Sequence, residues 1–164
     1  IARTQFIKKL LIVLNQKTRG VSNMGDRVSI SFKDKEENSV CLFHHWGGEY
    51  FPKYAFNWFK GLKEKTENEK KTKGTNPITR FEPRSMLAQF IGHMAQTPDF
   101  RECTGFEQVD GKSEYSKPIY SNDLLSHSIY LGKGPNDGDN SDNGHYTIDV
   151  NKCKMHNQKG EYIE

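Results

Sequence analysis

The residues able to do chemistry crowd into two short stretches and one loop. The first stretch is Asp26-Arg27. The second is His44-His45-Trp46-Gly47-Gly48. The loop is Gly134 to Gly144, with Asp137, Asp139 and Asp142, and His145 follows it directly. A segment that leaves a strand through two glycines into a helix presents backbone N–H groups at the positive end of the helix dipole, which suits an anion. Gly47 and Gly48 permit positive φ and close approach. Trp46 offers a ring to stack on, and His45 a donor, a base or a metal ligand. The plain alternative is a tight turn with Trp46 in the core and the histidines closing strand ends. Arg27 could grip a phosphate or carboxylate through two N–H bonds, or make an ordinary surface ion pair.

The loop carries a second possibility. Asp139-x-Ser141-x-Asn143-Gly144 matches the opening of a calcium loop. The twelfth position, which should be a bidentate Glu, is Val150, and Asp149 comes one residue early. The flanks read as strands, so an EF-hand is not expected. A looser cation site on Asp137, Asp139 and Asp142 remains, as does a hairpin loop held by Asx-turns, or a loop that places Asp142 and His145 beside a ligand. No organic cofactor is implied, and a divalent cation is the one candidate. Arg80-Phe81-Glu82-Pro83-Arg84-Ser85 either adds arginines to an anion site or is helix-start chemistry, with Glu82 complementing the dipole.

Other chemistries lack their residues. There is no P-loop, no G-x-S-x-G, no H-E-x-x-H and no dinucleotide-binding glycine pattern. Position 25 is Gly, so removing Met24 exposes no Ser, Thr or Cys nucleophile. Cys41, Cys103 and Cys153 form no C-x-x-C pair, so neither a disulfide framework nor a zinc knuckle is expected.

Composition narrows the class further. A length of 164 residues suits one domain. The apolar fraction is 34%, low for a globular chain, but aromatics reach 12%, and each large ring buries about 150–250 Å². Lys and Arg number 24 against 21 Asp and Glu, and the cluster from Lys63 to Lys73 is diluted by Glu64, Glu67 and Glu69. That is a solvated helix end and loop, not a nucleic-acid footprint, which needs basic residues gathered on one face. Leu10 to Leu14 is far too short to span a membrane, a task that takes roughly 18 apolar residues. With no small-residue cleavage site after it, a cytoplasmic protein with reduced thiols is expected.

The elements that must position these residues read as follows. Residues 1–23 form an extension or accessory helix, with Phe6, Leu10, Val13 and Leu14 at helical spacing, and a single domain covers 24–164. A first strand alternates Val28, Ile30 and Phe32 against Arg27, Ser29 and Ser31, a half-buried antiparallel pattern. Asp34 to Asn38 turns the chain. A second strand, Ser39 to about His45, is apolar on both faces, so it should be the more central. Alternation puts His44 on the Val40 face and His45 on the Cys41 face. The hairpin then brings Asp26-Arg27 close to His44 and His45.

A first helix carries Phe51, Tyr54, Ala55, Trp58, Phe59 and Leu62 on one stripe and frays from Gly61, leaving 64–78 as polar loop. A second spans Pro83 to Ala95, burying Met86, Leu87, Phe90, Ile91 and Met94. Residues 99–126 show no period and read as irregular. Strands return at Ser128–Lys133 and His145–Val150, and a final hairpin turns at Asn157–Gly160. The order ββ-αα-ββ defines an α+β fold, an antiparallel sheet with two main helices packed on one face.

Met24-Gly25-Asp26-Arg27, His45-Trp46-Gly47-Gly48, Glu82-Pro83 and Asp142-Asn143-Gly144-His145 together resemble small uncharacterised phage and prokaryotic proteins that open M-G-D-R and carry H-W-G-G after the first hairpin. The resemblance spans Met24 to about Val150 and is dense only in that hairpin. It implies that residues 1–23 lie outside the domain, and it puts weight on His45 over His44, where Ser or Thr is expected. It implies no activity.

Three functions are compatible with these residues. The leading one is binding of an anionic, nucleotide-like small molecule by Asp26, Arg27, His45, Trp46, Gly47, Gly48, Asp142 and His145. The second is a metal-dependent hydrolase using His45 or His145 as general base. The third is an interaction module that occludes a protein partner and needs no small ligand.

Overall fold

The computed structural model describes residues 25–73, 81–109, 112–124 and 128–163. The expected N-terminal extension and Arg80 lie outside them. The chain folds as α+β, with both helices against one face of a mostly antiparallel six-stranded sheet. Its strands are β1 (Val28–Lys33), β2 (Cys41–His44), β5 (Ile129–Gly132), β6 (His145–Asp149), β7 (Lys154–Asn157) and β8 (Tyr162–Ile163). Their spatial order is β5-β2-β1-β6-β7-β8. A separate hairpin pairs β3 (Arg101–Val109) with β4 (Lys112–Leu124).

The first hairpin forms as alternation dictates, with Val28 opposite His44 and Ile30 opposite Leu42. Asp34 builds its turn by accepting the N–H groups of Glu36 and Glu37 at 2.8 Å, which also lowers its pKa. The pairing that organises the sheet is not antiparallel. β1 runs parallel to β6, with Ser29 beside His145, Ser31 beside Thr147 and Lys33 beside Asp149. This places β1, not β2, at the middle of the sheet and buries both of its faces. The serines that made β1 look half-exposed are buried because partners are supplied to them.

Val28, Ile30, Phe32, Leu42 and Ile148 point to the helices α1 (Tyr50–Lys73) and α2 (Pro83–Ala95). Phe32 meets Phe59 and Phe90 edge to face at 6.1 and 6.4 Å. Phe51 and Phe90 are tilted at 5.9 Å. Rings of this size supply the core that a low aliphatic content leaves short.

Helix α2 has the expected bounds and buries Met86, Leu87, Phe90 and Met94. Helix α1 runs a dozen residues past the expected fraying point at Gly61. A Cβ at Gly61 would touch nothing within 4 Å, so this glycine neither packs nor bends the helix. The Lys- and Glu-rich continuation has high helix propensity, and Thr66 anchors it by being buried.

The segment expected to be irregular contains a 3-10 turn, Pro98–Phe100, and then the β3–β4 hairpin. Register shifts between Arg101 and Cys103, Cys103 and Gly105, and Gln108 and Val109 explain why no period of two was visible. The closing β7–β8 hairpin turns where expected, with Gly160 at φ 79°. No described helix is long and apolar enough to cross a membrane.

Candidate functional site

The hairpin register brings Asp26-Arg27 to the end of β2, as expected: Asp26 N–H donates to the His45 carbonyl at 2.9 Å. Gly48 N–H donates back to the Asp26 carbonyl at 2.8 Å. The loop after β5 closes the cluster, because Asn143 N–H donates to the Arg27 carbonyl at 2.9 Å and its side-chain amide donates to Asp26 Oδ1 at 2.7 Å. Three distant segments are stapled at one corner of the sheet.

The groups expected to hold an external anion already face carboxylates of the chain itself. Arg27 Nε lies 3.1 Å from Asp139 Oδ2, an ion pair whose angle falls short of a hydrogen bond. Arg27 Nη1 lies 3.8 Å from Asp142 Oδ2 and 3.4 Å from the Ser141 hydroxyl. Asp142 also accepts the Arg27 backbone N–H at 2.9 Å. Asp139 is held below the usual carboxylate range, first by the hydroxyl and N–H of Ser141 and then by Arg27 and His45. The cradle at the start of α1 is occupied in the same way. Gly48 sits at φ 53°, and a Cβ there would run into the Asp26 carboxylate. Gly47 is as tightly enclosed, by Phe51, Val28 and His44.

The two histidines part as alternation required. His44 faces the core against Phe51 at 4.9 Å, and burial pushes its pKa down to about 4. Its Nδ1 accepts the Trp46 N–H at 3.1 Å, so it is neutral with its proton on Nε2. His45 lies at the surface and meets the Trp46 ring edge-on at 4.7 Å. Trp46 is 57% exposed and does not enter the core.

His145 does not join this corner. Parallel pairing of β6 with β1 sets it beside Ser29, with Nδ1 2.9 Å from the Ser29 hydroxyl and Nε2 3.0 Å from that of Ser31. Ser29 accepts in turn from the Asn140 amide at 2.8 Å. Burial pushes the imidazole down to about 4, so it is neutral at pH 7.

The three aspartates of the suggested cation site also diverge. Asp137 accepts the Gly134 N–H at 2.6 Å, while Asp139 and Asp142 turn to Arg27. Among the described residues no three His, Cys, Asp or Glu side chains gather so as to hold a metal ion. The loop is an Asx-turn structure packed on the sheet, with Gly132 and Gly138 against the Phe43 ring, which stacks on Tyr130 at 5.0 Å. Arg84 pairs with Glu37 at 3.2 Å on the surface, away from the corner.

The sheet face opposite the helices is only partly covered by this loop. Over β1, β6 and β7 a groove of about 560 Å³ stays open, with His145 at its floor. Lys33, Lys152 and His156 line it together with Asn136, Thr147 and Gln158, and no Asp or Glu side chain does so among the described residues. Lys152 Nζ is 3.8 Å from Asp149 Oδ2, whose other oxygen accepts the N–H groups of Asn151 and Lys152. Of the lining residues, His145 was singled out in the sequence, whereas Lys33, Lys152 and His156 were not. The available signal was that Lys33 continues the outward face of Ser29 and Ser31. Comparison of the chain with family models, curated proteins and solved structures finds no match.

Proposed function

We propose that the protein binds an anionic small molecule, and that its seat is the groove over β1, β6 and β7. The observation that carries this reading is the lining of that groove: two lysines and two histidines, His145 and His156, with no lining carboxylate among the described residues. A partly enclosed groove of one sign focuses the field on an incoming anion. The Arg27 corner supports a different role, since its cation and its glycine cradle already meet Asp139, Asp142 and Asp26. A cytoplasmic setting, in a phage or prokaryotic protein of the kind the Asp26-Arg27 and His45–Gly48 segments resemble, belongs to the same proposal.

The test is calorimetric titration with inorganic phosphate and pyrophosphate at low salt. Lys33→Ala and Lys152→Ala each weaken binding several-fold, whereas Arg27→Ala leaves it unchanged. Loss of binding in Arg27→Ala, with both lysine variants unaffected, would return the site to the corner.

A second reading, docking of a protein partner, rests on Trp46 and Tyr50, which are 57% and 63% exposed at the start of α1. It predicts that Trp46→Ala abolishes partner capture while anion binding survives.

A further inference from the structure

Resting on that reading, we infer that the groove takes a phosphorylated sugar or polyol, not a nucleotide. The strand register grades its two ends. Lys33 closes β1 beside Asp149, the last residue of β6, and Lys152 follows three residues later, so both ammonium groups belong to the end where the two parallel strands finish. Thr147 and His156 face each other across β6 and β7 in the middle. Gln158, whose side-chain oxygen lies by Gly144, and His145, at the start of β6, belong to the opposite end.

A ligand matching this gradient carries charge at one end and neutral hydrogen-bonding groups along the rest. Amide, hydroxyl and imidazole groups complement sugar hydroxyls, each giving and accepting hydrogen bonds. Two lining side chains are excluded from that count: the Asn157 amide, which already bonds Glu161 Oε2 at 2.7 Å and the N–H groups of Lys159 and Glu161, and the His145 ring, whose two nitrogens already meet the Ser29 and Ser31 hydroxyls at 2.9 and 3.0 Å.

Nucleobases gain affinity by stacking on aromatic faces, and among the described residues no Phe, Tyr or Trp lines the groove. The nearby rings are committed elsewhere: Tyr162, which meets the His156 ring edge-on at 6.2 Å, carries the Lys154 ammonium over its own ring at 5.3 Å. Phe43 and Tyr130 lie under Gly138, and Trp46 stands at the Arg27 corner against His45. The buried Asp149 carboxylate beneath the lysine end is offset by Lys152. A phosphate there meets Lys33 as the less encumbered charge.

The experiment is titration of the full chain with inorganic phosphate, ribose 5-phosphate, glucose 6-phosphate, free ribose and adenosine monophosphate. At least one sugar phosphate binds ten-fold or more tighter than phosphate, free ribose is silent, and the nucleotide gains nothing over ribose 5-phosphate. Lys33→Ala weakens phosphate and sugar phosphate alike. Asn136→Ala and Thr147→Val close the gap between them without changing the affinity for phosphate. If no phosphate compound binds, the anion reading itself falls and this inference with it. If phosphate binds but neither sugar phosphate exceeds it, or the nucleotide binds ten-fold tighter than ribose 5-phosphate, the anion reading stands and the sugar inference is overturned.

Discussion

Acid should unfold this protein earlier than its carboxylates alone require, because two buried imidazoles must stay neutral. His44 and His145 sit at about 4 in the folded chain against an ordinary 6.5, both chiefly through burial. The unfolded chain therefore takes up protons first as pH falls. The stabilisation is fully present above about 6.5 and is lost progressively toward about 4. At pH 5 each histidine contributes a loss of about 2 kcal/mol by proton linkage, so the pair removes about 4 kcal/mol from a domain whose total is of order 5–15 kcal/mol.

The assay is urea unfolding at pH 7 and pH 5, where about 4 kcal/mol moves the midpoint down by roughly 2 M. His145→Gln, which keeps a donor and an acceptor between the two serines, halves the drop. Asp34 and Asp139, whose pKa values are lowered, act below this window and do not confuse it. Equal midpoints at the two pH values, or a His145→Gln variant as acid-sensitive as the parent, would refute the reasoning.

Three further perturbations test the corner and the long helix. Arg27→Ala removes contacts to Asp139 and Asp142 that are partly open to water, and should cost about 1 kcal/mol, shrinking in high salt; a thermal melt at two ionic strengths measures it. Gly48→Ala forces a left-handed residue to carry a Cβ against Asp26 and should cost at least about 2 kcal/mol in chemical unfolding. Asp26→Ala in the same chain should recover the clash but not the backbone strain. Gly61→Ala, in open space within α1, should stabilise by about 0.5–1 kcal/mol, read as a raised melting temperature.

Much of the architecture was legible because it is local. The alternation of Val28, Ile30 and Phe32, the i, i+3, i+4 stripe from Phe51 to Leu62, and Pro83 at the start of α2 each follow from one element's own periodicity. The approach of Asp26 and Arg27 to His45 followed too, since a short hairpin turn sets its own register. The β3–β4 hairpin was not legible, because its register shifts scramble the pattern on which a strand is recognised.

The sequence by itself determined the α+β class, the two helices, the opposite faces of His44 and His45, and the meeting of the first hairpin's ends. Only the tertiary structure decided what those residues meet. The parallel pairing of β1 with β6 joins segments more than a hundred residues apart, and no local pattern encodes it. That pairing inserts His145 between Ser29 and Ser31, makes β1 the central strand, and opens the groove beside Lys33. It also brings in the loop whose Asp139 and Asp142 face Arg27. Period-two alternation records which face a side chain takes; it cannot record what will later cover that face, and here the covering loop turned an apparent anion site into a staple.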